Sequence, residues 1–561
     1  MSSIATVCLS GTLEDKLTAI AGAGFDGVEI FENDLVASAW SPRRIREQCA
    51  DLGLSIDLYQ PFRDFEAVPP DVLAANLRRA ERKFDVMAEL GADTMLVCST
   101  VSPDAVDDDD LAAEQLHLLA ERAAGRGMRI AYEALAWGRF VNTYDHSWRI
   151  VRRAGHPALG LCLDSFHVLS RGSDPAGIRV IPGDKLFFLQ LADAPRLRMD
   201  VLQWSRHHRL FPGQGAFDLV AFVRHVLATG YAGPLSLEVF NDVFRQSDPG
   251  RTAVDAMRSL LVLRERLGLA DLPAAPPLAG FGCVGITTDD TGIADTLAAL
   301  GFHRDGSEWH QGGARLAVRA EAPTRITTVG LASTDPGASA RRADHLLAPP
   351  TGGGVAAPDG ITVTFEESFE VSDGEGLLTG VDHISLTAPF DDVDQTALFY
   401  RSVLGLEAEP EAEFAAPFGL IRSLSATDGR VRIIHNVAML RRGEWAPAVP
   451  DPQHVAFTTV DALAAAEAMR SRGARLLDVG DNYYDDLDAR LAPPRLAELR
   501  ASSVLYDRDE YGEYLHFYTH VLGGRVFFEI VQRVGGYRGY GTVNSPVRMA
   551  AHRRARLRNF R

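Results

Sequence analysis

Eight short apolar segments in the first half of the chain limit its fold more than any other sequence feature. They lie at residues 5–10, 27–31, 55–60, 94–99, 129–134, 159–164, 186–193 and 234–240. Each has the length of a strand and is continuously apolar, as strands covered on both faces of a parallel sheet are. Amphipathic helical patterns separate most of them, and several of these end in Gly, which commonly terminates helices. Eight alternating strands and helices predict an α/β TIM barrel over residues 1–268.

A proline-rich segment at residues 269–280 interrupts this alternation and predicts a linker. Beyond it, short strand patterns and single helical patterns predict an α+β region, which divides into 281–375 and 376–545. Residues 335–360 are rich in Gly, Pro and Ala and predict loops in the weaker first part. Residues 546–561 form a basic tail, which favours a surface position on an acidic protein.

Charge and composition exclude several classes of protein. The 561 residues carry a net charge of −18, which argues against a large nucleic-acid or anionic-membrane footprint. Hydrophobic residues make up 46% of the chain, as in an ordinary globular enzyme. The five cysteines are scattered without a CxxC pair and should be reduced. We find no secretory or membrane-spanning pattern and expect a cytoplasmic enzyme with a small-molecule substrate, while a homo-oligomer stays open.

Polar residues stand at or near the ends of four consecutive predicted strands: Glu133, Asp164, Gln190 and Glu238. The C-terminal strand ends of a TIM barrel build its open face, so these four side chains can converge. Three carboxylates and an amide oxygen suit a divalent ion such as Mg²⁺, Mn²⁺ or Co²⁺ better than a thiol-preferring metal. The alternative is that one or two of them pair with arginines in structural salt bridges.

Other residues near these strand ends suit proton transfer and anion binding. His167 lies three residues after Asp164, close enough to act as a general acid or base. Arg63 follows the third strand, while Arg206 and Arg209 follow the seventh. Their forked donors could bind an anionic substrate. The structural alternatives are a satisfied loop histidine and surface arginines.

The segments around these residues resemble the bacterial 3-dehydroshikimate dehydratases, in the sugar-phosphate-isomerase and endonuclease-IV-like superfamily. The motifs are YQPFRDFE, AYEALAWGRFVNTYDHSW, LCLDSFHVLSRG, FLQLADAP, MDVLQWSRHHRLFPGQG and LSLEVFND. The resemblance implies that the four strand-end residues hold the metal and that His167, Ser205 and Arg209 border the substrate, with Arg63 as a further pocket residue. Many isomerases of the superfamily have His in place of Gln190, and this difference favours the dehydratases.

The implied reaction is a metal-dependent dehydration of 3-dehydroshikimate to protocatechuate. This substrate carries a carboxylate and a ketone conjugated to a ring double bond, so a divalent ion on the ketone could stabilise an enolate. Loss of a ring hydroxyl then gives an aromatic catechol. We expect His167 to transfer the proton, and Arg209 with Arg63 to bind the carboxylate.

A second candidate site lies in the α+β region. His383 and His454 occur in two similar segments, VDHISLTA and QHVAFTTV, and Glu529 occurs in RVFFEIVQR. In repeated modules, two histidines and a carboxylate can form the facial triad of a non-haem Fe(II) site. The motifs FYRSVLGL, QHVAF and FFEIVQR resemble the C-terminal part of 4-hydroxyphenylpyruvate dioxygenases, in the vicinal-oxygen-chelate superfamily with its βαβββ repeat. The resemblance implies a second divalent ion, Mg²⁺ or Fe²⁺.

The end of the chain departs from the dioxygenase pattern. Those enzymes close their pocket with a helix after a Gly-Asn-Phe segment, whereas this chain reads GYGTVNSPVRMAAHRRARLRNFR. The departure favours a structural or regulatory role for the second domain. Two alternatives remain open: a barrel isomerase acting on a sugar or hydroxy-keto acid, and a bifunctional protein whose second site is an Fe(II) dioxygenase.

Overall fold

The computed structural model describes residues 1–367, 376–417, 419–438 and 451–559. The chain forms two compact units, Met1–Asp271 and Leu272–Arg561. Within the described residues, no helix combines the length and apolarity that a membrane crossing requires.

The first unit is a closed, parallel eight-stranded barrel in which β1 pairs with both β2 and β8. Its strands are β1 (Ser2–Ala5), β2 (Gly27–Phe31), β3 (Ser55–Phe62), β4 (Thr94–Cys98), β5 (Arg129–Glu133), β6 (Leu159–Asp164), β7 (Leu186–Leu191) and β8 (Leu235–Leu237). The predicted TIM barrel is confirmed. The position of its first strand was wrong, because residues 5–10 contribute only Ala5 to β1 and continue as a 3₁₀ turn over Thr6–Cys8.

Helices follow or connect these strands. They are α1 (Leu13–Gly22), α2 (Glu32–Ala37), α3 (Pro42–Asp51), α4 (Pro70–Leu90), α5 (Asp109–Ala124), α6 (Tyr144–Ala154), α7 (Ser165–Ser170), α8 (Val201–His207), α9 (Leu219–Leu227) and α10 (Pro249–Leu267). Local chemistry sets their ends. The Thr12 side chain accepts from the Asp15 N–H in a capping box at α1, and Gly91 ends α4 in the left-handed region at φ 77°.

The described residues of the second unit form two sheets. The first has the order β10-β11-β12-β9-β13-β15-β14. Its strands are β9 (Leu278–Thr288), β10 (His303–Asp305), β11 (Glu308–Gln311), β12 (Ala314–Ala320), β13 (Arg325–Ser333), β14 (Val355–Ala356) and β15 (Thr362–Glu367), accompanied by α11 (Gly292–Leu300) and α12 (Pro336–His345).

The second sheet has the order β17-β19-β20-β16-β21-β24-β23-β22, with β18 paired to β19. Its strands are β16 (Gly380–Thr387), β17 (Glu407–Ala408), β18 (Ala412–Ala416), β19 (Gly419–Thr427), β20 (Arg432–Ala438), β21 (Gln453–Thr458), β22 (Leu505–Arg508), β23 (Gly512–Tyr518) and β24 (Val526–Gly535). The helices are α13 (Val393–Leu404), α14 (Ala462–Ser471), α15 (Asp481–Leu491), α16 (Leu496–Ala501) and α17 (Ser545–Asn559). In each of these two sheets the chain begins with a strand, passes through a helix and continues into further strands, as the predicted βαβββ repeat requires.

Three details differ from the sequence-based boundaries. The last residues of the predicted linker 269–280 already belong to β9, which begins at Leu278. The predicted loop region 335–360 contains α12 and β14, because the Asp335 side chain caps α12 by accepting from the Ala338 N–H at 2.8 Å. The described part of the basic tail forms the helix α17. Residues 368–375 of the first part of the α+β region, and 560–561 of the tail, lie outside the described residues.

Candidate active site

The barrel brings its four strand-end residues together at one end of its interior. Glu133 and Asp164 are the last residues of β5 and β6, Gln190 lies in β7, and Glu238 follows β8 directly. All four side chains are buried. Parallel pairing explains the convergence, since Asp164 and Gln190 are register partners and Gln190 in turn pairs with Ser236, two residues before Glu238.

Arg209 bridges two of these carboxylates. Its Nη1 donates to Asp164 Oδ2 at 2.6 Å and to Glu238 Oε2 at 3.1 Å. Although burial opposes ionisation of Asp164, the Arg209 charge and the hydrogen bonds from Arg209 and the Phe166 N–H outweigh it and hold the pKa of Asp164 below its usual range. Burial raises the pKa of Glu238 to about 7, despite the opposing effect of Arg209. One buried guanidinium therefore compensates only part of the negative charge in this cluster.

Glu133 has fewer hydrogen-bond partners than the other two carboxylates of the cluster, Asp164 and Glu238. Its Oε1 is buried and lacks a hydrogen-bond partner, while its Oε2 accepts from the Cys98 thiol at 3.4 Å. Burial, and then the charges of Glu238 and Asp164, raise the pKa of Glu133 well above its ordinary value. Ligand atoms of Glu133, Asp164 and His167 lie within 4.8 Å of one another, close enough to hold one metal ion. The unpaired oxygen of Glu133, and the carboxylate charge that Arg209 does not balance, suit a divalent cation.

His167 lies on α7 beside these carboxylates. Its Nδ1 accepts from the Ala136 N–H at 3.1 Å, and its Nε2 lies 3.6 Å from Asp164 Oδ2 and 3.9 Å from Glu133 Oε1. Burial lowers the pKa of His167 to about 3, so the imidazole is neutral near pH 7. The backbone N–H occupies Nδ1, which leaves Nε2 as the ring atom that faces the cluster.

The other three residues predicted to contact the substrate differ in their exposure to solvent. Ser205 on α8 is buried, and its Oγ accepts from Arg209 Nε at 3.1 Å and from Nη2 at 2.8 Å. Ser205 thus holds Arg209 in place. Arg63, after β3, and Arg206, on α8, are exposed instead.

Sequence reasoning missed two polar residues in the barrel interior, Glu29 on β2 and Gln60 on β3. Gln60 Nε2 donates to Glu29 Oε2 at 3.0 Å and to Glu238 Oε1 at 2.9 Å. Glu29 Oε2 also accepts from Gln190 Nε2 at 2.6 Å. Glu29 interrupts the apolar segment GVEIF, and an isolated polar residue in such a segment is the signal that could have identified it. Gln60 ends the predicted third strand, SIDLYQ, so the strand-end rule could have selected it.

A second buried cluster lies in the second unit. His383 on β16, His454 on β21 and Glu529 on β24 have ligand atoms within 4.8 Å of one another. Glu529 Oε2 lies 3.0 Å from His454 Nε2 and 3.4 Å from His383 Nε2. Burial lowers the pKa of His454 to about 4. Burial opposes ionisation of Glu529, but hydrogen bonds from three histidines outweigh it and hold its pKa well below the usual range. A neutral imidazole and an ionised carboxylate are the forms that bind a metal ion.

Surrounding residues orient these three side chains. His383 Nδ1 contacts Asp382 Oδ2 at 2.8 Å, and Arg533 pairs with both Asp382 oxygens at 2.8 Å. Glu529 Oε1 accepts from Tyr514 at 3.1 Å and lies 2.7 Å from His516 Nδ1. These contacts leave Nε2 of His383 and Oε2 of Glu529 directed into the cluster, as a metal site requires.

Two family models match the chain, one in each unit. Residues 17–264 match the family described as xylose isomerase-like TIM barrel. Residues 380–491 match the glyoxalase/bleomycin resistance protein/dioxygenase superfamily. The protein is thus a xylose isomerase-like TIM barrel followed by a domain of the vicinal-oxygen-chelate type.

Relatives that span the whole chain define the family more closely. The 3-dehydroshikimate dehydratase of Pseudomonas putida is 43% identical and that of Pseudomonas aeruginosa 44%, each over 99% of this chain and 98% of the relative. A solved structure described as a xylose isomerase-like TIM barrel/4-hydroxyphenylpyruvate dioxygenase fusion protein is 42% identical, with a TM-score of 0.90, over 98% of this chain and 99% of its own. The chain belongs to the 3-dehydroshikimate dehydratase family and is a lyase.

Proposed function

We propose that this protein removes water from 3-dehydroshikimate and releases protocatechuate, in the catabolism of quinate and shikimate. The observation that carries the proposal is the match to curated dehydratases over 98% of their length, together with the buried carboxylate cluster at the barrel's strand ends. The isomerase alternative is disfavoured, because these full-length relatives are dehydratases.

We further propose that Glu133, Asp164, Gln190 and Glu238 hold the divalent ion of the barrel, with Mg²⁺, Mn²⁺ or Co²⁺ as candidates. The free oxygen of Glu133 and the incomplete charge compensation by Arg209 support this assignment. When bound, such an ion would act as a Lewis acid on the substrate ketone and favour the enolate.

The chain's own residues would move the proton and orient the substrate. The reaction removes one ring proton and one ring hydroxyl, which leave together as water. The Ala136 N–H donates to Nδ1, so the neutral imidazole carries its proton on Nε2. His167 would give this proton to the leaving hydroxyl and take up the ring proton, so that one water leaves and the imidazole ends neutral. Arg209 would direct its guanidinium at the substrate carboxylate from the position that Ser205 fixes, with the exposed Arg63 and Arg206 as further anion contacts.

Product analysis tests this function directly. Metal-reconstituted protein, an EDTA-stripped sample and Glu133→Ala would each be mixed with 3-dehydroshikimate, with Glu114→Ala on the exposed face of α5 as the matched control. We expect protocatechuate from the reconstituted protein and the control alone. Folded protein that gives no protocatechuate with Mg²⁺, Mn²⁺ or Co²⁺ would contradict the proposal and restore the isomerase alternative.

For the second unit we propose a degenerate half, 281–375, and a metal-binding half, 376–545, in which His383, His454 and Glu529 hold Mg²⁺ or Fe²⁺. The ligand atoms of these three buried residues lie within 4.8 Å of one another, which supports metal binding. The ring of Tyr540 lies 5.5 Å from that of His383, and its hydroxyl donates to Glu409. The departure of the chain's end from the dioxygenase pattern favours a structural or regulatory role for this site. Oxygen uptake with 4-hydroxyphenylpyruvate would instead favour the dioxygenase alternative.

A further inference from the structure

Trp137 is a partly exposed indole beside the buried carboxylate cluster of the barrel. It follows Glu133 by four positions, and its ring centroid lies 5.0 Å from that of His167, with 67° between the two ring planes. The indole also packs against a buried apolar cluster that includes Leu58 and Cys98. Trp137 therefore lies between the barrel's apolar core and the ring that we propose transfers the proton.

The backbone on both sides of Trp137 is held in place. On one side, Gly138 has no room for a side chain, because a Cβ there would lie 2.0 Å from the Val141 carbonyl oxygen. On the other side, the Ala136 N–H donates to His167 Nδ1 at 3.1 Å. One short segment after β5 thus fixes both the imidazole's orientation and the position of the indole beside it.

The surroundings of Trp137 are those of a small-molecule pocket. The His167 ring beside it presents Nε2 to Glu133 Oε1 at 3.9 Å and to Arg209 Nη2 at 3.3 Å. Binding pockets combine aromatic walls with a few placed polar groups of this kind. The indole keeps part of its surface exposed to solvent, although burial of an aromatic ring is favourable. A bound ring would cover that exposed surface.

The proposed reaction changes the shape of the substrate ring. Half of the ring carbons of 3-dehydroshikimate are tetrahedral, whereas the ring of protocatechuate is flat and aromatic. Two aromatic rings attract each other in stacked or edge-to-face arrangements beyond the effect of burial alone. A contact between the indole and the reacting ring therefore strengthens as the reaction proceeds. Only contacts that strengthen toward the transition state accelerate the chemical step.

We propose that Trp137 contacts the substrate ring and makes the site specific for a ring that becomes aromatic. The inference rests on the proposed dehydration and deepens it, because the charged residues of the site recognise the carboxylate and the ketone but not the flatness of the ring. Trp137 would then bind the substrate directly, in addition to packing on His167.

Replacement of the indole separates ring binding from support of His167. Trp137→Leu keeps an apolar side chain without an aromatic ring. It should raise the inhibition constant of protocatechuate roughly 5- to 10-fold, lower kcat/KM about tenfold and change KM for 3-dehydroshikimate less than about threefold. Trp137→Phe keeps an aromatic ring and should recover most of the product affinity. Trp148→Leu, partly exposed on the outer helix α6, is the matched control and should keep wild-type values.

The measurements are steady-state protocatechuate formation, its inhibition by added protocatechuate, and calorimetric binding of protocatechuate to the full chain. A lower kcat in Trp137→Leu with unchanged affinity for protocatechuate would overturn the inference, because the indole would then act only through His167. Equal losses in Trp137→Leu and Trp137→Phe would also overturn it.

Two further provisions keep the test decisive. If Trp137→Leu does not fold, Trp137→Met takes its place, because its unbranched apolar side chain adapts to an irregular space. Folded wild-type protein that forms no protocatechuate would contradict the proposed function. Calorimetry tests the ring contact without turnover, so the two failures are distinguishable.

Discussion

Arg209 and Asp164 form an ion pair inside the barrel, with 2.6 Å between Nη1 and Oδ2 and neither side chain more than 1% exposed. A guanidinium this deeply buried cannot be replaced by an ammonium without loss, because Lys lacks the second nitrogen that contacts Ser205. The pair therefore links charge compensation in the carboxylate cluster to the residue that we propose binds the substrate.

Arg209→Lys should lower kcat/KM for dehydration by about 100-fold, since the charge remains but the contacts of Nε and Nη2 to Ser205 are lost. Steady-state protocatechuate formation measures the effect. Arg206→Lys, exposed on α8, should cost less than about tenfold. Equal losses in both variants would contradict the special position of Arg209.

Asp193→Ala should loosen the loop that follows Arg209. The buried Asp193 carboxylate accepts from the partly buried N–H groups of Gly213 at 3.0 Å and Phe217 at 2.9 Å, and loss of these bonds should cost about 1 kcal/mol. We expect a lower Tm and about a tenfold lower kcat/KM. The control Asp218→Ala removes the cap of α9 and should cost about 1 kcal/mol of stability with unchanged activity. Full activity in Asp193→Ala would show that this loop does not support the active site.

Glu529→Gln should remove one metal ion per chain while dehydration persists. The amide keeps the shape of the carboxylate but lacks the negative charge that a carboxylate ligand offers to a metal ion, next to His383 and His454. Metal analysis should show one ion fewer than in the wild type, and kcat/KM should stay within about threefold. Glu498→Gln, on the exposed helix α16, is the control. A folded variant that loses dehydratase activity would show that the second unit's metal supports catalysis.

Glu66→Gln should reduce the pH dependence of barrel stability. Burial raises the pKa of Glu66 to about 7 from an ordinary 4.5. The native state thus keeps a proton that the unfolded state has lost, and stability falls as the pH rises through this interval, by roughly 3 kcal/mol for this group. Gln cannot titrate, so the decrease in Tm between pH 5 and pH 8 should be several degrees smaller than in the wild type. Glu89→Gln, exposed on α4, should keep the wild-type slope, and an identical slope in Glu66→Gln would refute the assignment.

The barrel could be predicted because its strands are continuous apolar segments, and β2 and β6 match the predicted bounds to the residue. The first strand could not, because β1 begins with Ser2 and Ser3, which are polar yet buried. The topological rule for strand ends located Glu133 and Asp164, since it depends only on chain direction. The bridge from Arg209 to Glu238 depends on side-chain geometry across the barrel, which spacing along the sequence does not encode.

Two thiols contact residues of the barrel cluster, Cys98 at Glu133 and Cys162 at Gln190, and they offer a way to measure how often the barrel opens. Cys98 and Cys162 are fully enclosed, and burial raises the pKa of both thiols well above the ordinary value, so neither presents a reactive thiolate to solvent. Alkylating reagents can reach them only when the barrel opens. The rate at which these two thiols are alkylated therefore measures how often the barrel opens, without a substrate or an engineered probe.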